Sequence, residues 1–142
     1  MVKAPKIYLN DTGLLCQLRG TDTASLVKTP NFPGQILENF VVMELIKQQG
    51  WNNTKCKIYH FRSQTGQEVD FLLEAYDGRI VGIEVKTSSE VGVKDFAGLE
   101  YLAKLTGNDF IRGMVLYTGN HTVKFAKNLF AVPITTLWQG KI

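Results

Sequence analysis

The sequence predicts a mixed α/β domain, one mixed sheet flanked by helices. Three patterns carry this expectation. The stretch over 35–49 is apolar nearly all round a helix, which marks a buried helix. Three alternating stretches, at 57–62, 68–75 and 80–86, are joined by short turns and so run antiparallel. A second helical stretch over 94–106 then leads into an apolar strand at 110–117. A strand reached through a helical crossover lies parallel to its neighbour. With 142 residues the chain is one domain, large enough to bury roughly two-thirds of its unfolded surface.

In chain order, Lys6-Ile7-Tyr8-Leu9 reads as a short strand. Asp11 caps the turn that follows, Leu14 to Leu18, and Gly20 closes it. So abrupt an opening is expected of a domain cut from a longer protein, or of one packed on a partner. Asp11-Thr12-Gly13 also spells the aspartic-protease triplet, but that chemistry needs two facing aspartates and there is no second triplet. Thr29-Pro30-Asn31-Phe32-Pro33-Gly34 is a loop. The helix from Gln35 to Gln49 ends at Gly50. Its Glu38 shares a face with Val41, Val42 and Leu45, so its carboxylate needs a cation, a hydrogen-bond donor or a metal. The alternative is an ordinary carboxylate favoured by the helix dipole.

Lys57 to Arg62 alternates as a strand, and Ser63-Gln64-Thr65-Gly66 turns into the next. The register of that turn leaves the facing of His60 and Arg62 open. A polar loop, Thr87-Ser88-Ser89, follows Lys86. The helix over 94–106 gathers Phe96, Leu99, Leu102 and Ala103 on one side and stops at Gly107. Phe110 to Tyr117 is a strand, Thr118-Gly119-Asn120 a turn, and Thr122 to Phe125 a strand. Phe130 to Ile134 and a short segment with Leu137 and Trp138 complete the chain.

The hairpin at 68–86 holds the chemistry. Glu68 and Asp70 share one face of its first strand, and Glu84 and Lys86 share one face of its second. The turn decides whether those faces coincide. A two-residue Asp77-Gly78 loop would set Asp70 opposite Val85. A three-residue loop, Tyr76-Asp77-Gly78, sets Asp70 opposite Glu84 and Glu68 opposite Lys86, with Gly78 in the left-handed position. The second register is preferred because it gathers Val69, Phe71, Leu73, Val81, Ile83 and Val85 on one apolar face. Two facing carboxylates repel. A divalent cation, a shared proton or full exposure to water would relieve them, and the plainest reading is the wet face of a hairpin.

Composition narrows the classes. The formal charge of +3 allows contact with nucleic acid without arguing for it. Cys16 and Cys56 form no C-x-x-C pair, so neither a zinc knuckle nor a disulfide framework is indicated, and a reduced cytoplasmic setting fits. The opening residues lack the apolar core of a signal peptide, and no apolar run is long enough to cross a membrane. The N-x-T triplets at Asn10, Asn52 and Asn120 are accidents of composition in that setting.

Asp70 followed by Glu84-Val85-Lys86, with Glu38 on the preceding helix, resembles the signature of the PD-(D/E)XK nuclease superfamily. One departure is that Val69 stands where the superfamily has its leading proline. The match extends to Lys6-Ile7-Tyr8-Leu9-Asn10-Asp11-Thr12-Gly13-Leu14, Leu37-Glu38-Asn39-Phe40-Val41, Gly66-Gln67-Glu68-Val69-Asp70-Phe71 and Arg112-Gly113-Met114-Val115-Leu116-Tyr117. Together these are similar to the C-terminal domain of unknown function of prokaryotic AAA-type ATPases. No G-x-x-x-x-G-K-[ST] occurs, so the ATPase itself is not in this chain.

The resemblance implies a restriction-endonuclease-like αβββαβ core and a metal-dependent DNA nuclease attached to an AAA-type ATPase. It implies that Asp70, Glu84 and the carbonyl of Val85 hold Mg²⁺ or Mn²⁺, with Glu38 reaching the ion directly or through water. Lys86 would orient the attacking water or steady charge on the phosphate. Glu68 is outside the minimal set and is expected as a partner of Lys86 or a support behind the ligands. Arg62, Lys94 and Arg112 are candidate phosphate contacts. The other class is a nuclease fold that no longer cuts and serves as a docking or regulatory module of the ATPase. The intact set of Glu38, Asp70, Glu84 and Lys86 favours the first, and the weak positive charge favours the second.

Overall fold

A computed structural model describes residues 5–28 and 33–139. Its strands are β1 (Cys56–Arg62), β2 (Glu68–Ala75), β3 (Ile80–Val85), β4 (Phe110–Tyr117), β5 (Val123–Ala126) and β6 (Leu129–Pro133). Its α-helices are α1 (Thr12–Leu18), α2 (Thr23–Lys28), α3 (Gly34–Gln48), α4 (Ala97–Thr106) and α5 (Thr136–Gln139). The six strands form one mixed sheet in the order β1-β2-β3-β4-β6-β5. β1, β2 and β3 are antiparallel, and β4 and β6 continue parallel to β3. The expected order of helix, three antiparallel strands, helix and parallel strand is therefore the observed one.

Each face of the sheet carries one apolar cluster. On one side Leu37, Val41 and Val42 of α3 cover Phe71, Ile83 and Val85. On the other, Leu99 and Leu102 of α4 join Phe96, Phe110 and Val115. Both helices are buried along one face because the sheet between them is apolar on both sides.

The ends of α1 follow the sequence reading. Asp11 Oδ1 accepts the Leu14 N–H at 2.8 Å, and Gly20 adopts φ +64° after the helix. The short helix α2 has no counterpart in the sequence reading. The loop expected over 29–34 falls, for 29–32, outside the described residues. Lys6 to Leu9 is not a strand. It pairs with no sheet edge; instead Leu9 docks on the buried Asn39 amide, whose Oδ1 accepts the Leu9 N–H at 2.8 Å and whose Nδ2 donates to the Leu9 carbonyl at 3.0 Å.

The hairpin turn takes the three-residue form. Ala75 N donates to the Arg79 carbonyl at 2.9 Å, Gly78 N donates to the Ala75 carbonyl at 3.0 Å, and Gly78 sits at φ +85°. The ladder then runs from Glu74–Ile80 to Phe71–Ile83, the register that carries Asp70 towards Glu84.

One expectation about this hairpin fails. Val69 is not on the face of Phe71 and Ile83; it belongs to the α4 cluster. The cause is a β-bulge. Tyr59 pairs with Leu72 and Phe61 with Val69, so His60 alone opposes both Asp70 and Phe71. The extra residue breaks the alternation and turns Val69 to the opposite side. α4 closes on this kink through Gly98, where a Cβ would lie 2.0 Å from the Glu68 carbonyl oxygen. Glycine is required there for the approach.

Candidate functional site

The site gathers where the bulge re-aims β2. Asp70 is 5% exposed, the one buried carboxylate among the described residues. Its Oδ2 accepts the buried N–H of Val85 at 2.9 Å, which ties the bulge to the end of β3. Its Oδ1 accepts from Lys6 Nζ at 3.0 Å. The His60 ring lies beneath it, with Nδ1 at 3.3 Å from the Asp70 carbonyl oxygen and Nε2 at 3.3 Å from Glu68 Oε1.

Two lysines divide the carboxylates. Lys6 Nζ lies 2.9 Å from Glu68, 3.0 Å from Asp70 and 3.2 Å from Glu38. Two of these contacts, to Asp70 and Glu38, are hydrogen bonds, and the third is an ion pair. Lys86 Nζ lies 3.0 Å from Glu84 and 3.8 Å from Asp95. Alternation along β3 puts Glu84 on the side of Gly82, whose Cα faces Leu99 and Leu102 of α4. Glu38 comes from α3, across the sheet. Asp70 lies between the two groups.

The electrostatics follow this geometry. Burial, reinforced by the charge of Asp70, pushes the Glu84 carboxyl up to about 7 despite Lys86. Burial and Asp70 likewise raise Glu38, against the pull of Lys6. Burial opposes ionisation of Glu68 too, but the Lys6, His60 and Arg62 contacts outweigh it and hold that carboxyl below its ordinary range. Burial alone would lower Lys6, yet Glu68, Asp70 and Glu38 together raise it.

The expected residues are placed as follows. Asp70, Glu84, Val85 and Lys86 meet at the end of the hairpin. Glu38 reaches Asp70 through Lys6. Glu68 is not the partner of Lys86; the bulge turns it towards β1, where it meets His60 and Arg62, the latter at 3.6 Å. Arg112 is distant: it pairs with Val81, at the far end of β3 from Val85, and its guanidinium lies over the Phe130 ring at 5.5 Å. Lys94 is exposed beside Asp95. Lys6, His60 and Asp95 were not foreseen as members. Lys6 lies within the first segment of the family resemblance, and that was the available signal; the roles of His60 and Asp95 depend on the bulge and the crossover.

The oxygen donors suit a hard divalent cation, which takes carboxylate and carbonyl ligands. Lys6 stands as a cation among three of the carboxylates. Among the described residues no group of three or more His, Cys, Asp and Glu side chains is arranged to hold a metal ion. Among the same residues no helix is long and apolar enough to cross a membrane.

The fold and the site define an α/β domain with a buried acidic centre at a bulged hairpin. The chain belongs to the family described as "Domain of unknown function (DUF4143)", which matches residues 33–137. It is 30% identical over 132 residues to "Uncharacterized protein Rv2008c" of Mycobacterium tuberculosis and to "Uncharacterized protein Mb2031c" of Mycobacterium bovis. The alignment covers 92% of this chain and 28% of each relative, so the chain spans less than a third of the curated relatives it matches. No solved structure matches it.

Proposed function

We propose that this domain is a PD-(D/E)XK nuclease-like module that hydrolyses DNA phosphodiesters with Mg²⁺ or Mn²⁺ and serves an AAA-type ATPase in the longer protein. The observation that carries the reading is the convergence of Asp70, Glu84 and Lys86 on the backbone of Val85, with Glu84 held near 7. Two carboxylates brought together by a bulge, beside a backbone carbonyl, are the kind of oxygen donors a hard divalent cation takes.

Asp70, Glu84, the Val85 carbonyl and Glu38 would hold the ion once Lys6 withdraws from Asp70 and Glu38. A bound Mg²⁺ or Mn²⁺ would supply a more acidic water and positive charge at the phosphate. Lys86, already beside Glu84, is placed to orient that water and to steady charge on the phosphate. Glu68 and His60 hold the bulge that aims Asp70. Arg62, exposed next to Glu68, and Lys94, exposed next to Asp95, are the cations that would meet a DNA backbone; Arg112, at the far end of β3 over the Phe130 ring, would not be a first contact.

The test incubates the chain and its Asp70→Ala variant with plasmid and single-stranded DNA, with Mg²⁺ or Mn²⁺. Cleavage by the wild type and none by the variant supports the reading. No cleavage of either DNA with either metal, by the domain alone and rejoined to its ATPase, sinks it.

A second reading is a nuclease-derived docking or regulatory module that no longer cuts. The Lys6 ammonium favours it, because a cation covalently part of the chain neutralises the carboxylates without any metal.

A further inference from the structure

We propose that Lys6 is a removable internal plug: its ammonium and a divalent cation compete for Asp70 and Glu38, so an ion loads only when the 5–8 segment withdraws. The inference rests on the metal reading of the site and concerns how that site is controlled.

Three observations carry it. The Lys6 ammonium donates hydrogen bonds to Glu38 and Asp70, both candidate ligands, and forms an ion pair with Glu68. A cation so placed neutralises the charge that would draw a metal. Next, the plug is built to leave. Its side chain is 29% exposed, it lies on a segment with no sheet or helix hydrogen bonds, and neighbouring Ile7 is 84% exposed. Residues Lys6 to Leu9 border a cavity of about 250 Å³ against Arg19, Gln35 and Glu38, which leaves the side chain room to swing. Finally, the segment has a fixed end. Both backbone groups of Leu9 are held by Asn39, itself 1% exposed and also bonded to Thr12 Oγ1 at 3.0 Å. Withdrawal thus involves the 5–8 segment, which carries the plug. Tyr8 packs against the α3-side core, its ring 5.7 Å from that of Phe71, but its buried hydroxyl has no hydrogen-bond partner, so only apolar contact holds that side chain.

An ion binding to a state populated at about 1–10% shows an apparent Kd raised roughly 10- to 100-fold. The experiment titrates Mn²⁺ alone into the full chain and its Lys6→Ala variant, reading free Mn²⁺ by electron paramagnetic resonance. Lys6→Ala is expected to bind at least about tenfold more tightly. In parallel, the wild type is acetylated with an N-hydroxysuccinimide ester with and without Mn²⁺, and modification at Lys6 is followed by peptide mass spectrometry. Reactivity at Lys6 is expected to rise and to saturate with Mn²⁺ binding. This second arm decides the matter if Lys6→Ala fails to fold. Mn²⁺ bound by the wild type with Lys6 reactivity unchanged overturns the plug and leaves the metal reading standing. Mn²⁺ bound by neither protein overturns both.

Discussion

The Asp70 carboxylate accepts the Val85 backbone N–H at 2.9 Å, where the hairpin register would have set Val69 opposite Val85. A side chain has taken over the duty of a backbone carbonyl because the bulge has carried that carbonyl away. The contact fastens one candidate ligand to the residue next to the other.

Asp70→Ala removes that acceptor and leaves a buried N–H unpaired, at a cost of about 1–3 kcal/mol. Asp70→Asn keeps an oxygen for Val85 and is expected to lose less. Urea unfolding gives the stabilities, and amide exchange at Val85 should quicken in the alanine variant and stay near wild type in the asparagine one. Equal losses in both would show that the Lys6 pair, not the Val85 bond, is what matters.

Stability should depend on pH through Glu84. Its carboxyl ordinarily titrates at 4.5 and is pushed up to about 7 in the fold by burial and by Asp70. The folded state therefore holds the proton more tightly than the unfolded chain. The stabilisation is whole below the ordinary value, falls as pH rises through the window between the two, and is gone above the upper one. Metal-free melts across that window should show the fall, and Glu84→Gln, neutral throughout, should flatten it. A slope unchanged by Glu84→Gln would assign it to another group.

Mg²⁺ or Mn²⁺ should raise the melting temperature of the wild type, because a ligand held only by the folded state stabilises it. At a hundredfold excess over Kd the gain is about 2.7 kcal/mol. Protons compete for the same carboxylates, so the gain should grow as pH rises through the range where Glu84 ionises. Asp70→Asn should remove most of it. The same gain in both proteins would place the ion elsewhere.

Lys86 separates the two functional readings. In a working nuclease it acts on the transition state, so Lys86→Ala should cut cleavage about a hundredfold or more while Mn²⁺ and DNA binding stay nearly intact. In a docking module its pairs with Glu84 and Asp95 would be structural, their loss costing about 1 kcal/mol or less, with no cleavage to lose. Single-turnover cleavage beside thermal melts reads both.

The hairpin shows how far local pattern reaches. Gly78 could be read because a three-residue turn needs a left-handed residue at that place, and the turn then set the register of every pair up to Phe71–Ile83. The helices at 35–49 and 94–106 and the crossover to β4 were legible for a similar reason: apolar period and stop signals act within a few residues. Facing carboxylates on Asp70 and Glu84 raise the question, but local pattern leaves the wet face of a hairpin as the plainest answer; it is the resemblance of Asp70 and Glu84-Val85-Lys86 to a known signature that singles the three out.

What the sequence by itself determined is the αβββαβ order of the core elements and the hairpin register, both consequences of short-range backbone geometry. Only the tertiary structure decided how the charges are shared. The bulge opposite His60 depends on how β1 meets β2 across a turn whose register local pattern leaves free, and it sent Val69 to the α4 face and Glu68 away from Lys86. Lys6 reaches Asp70 over 64 positions of chain because Asn39 anchors Leu9 beside α3. Alternation and periodicity carry no information over such separations; the packing of α3 and of the 5–9 segment on the sheet supplies it.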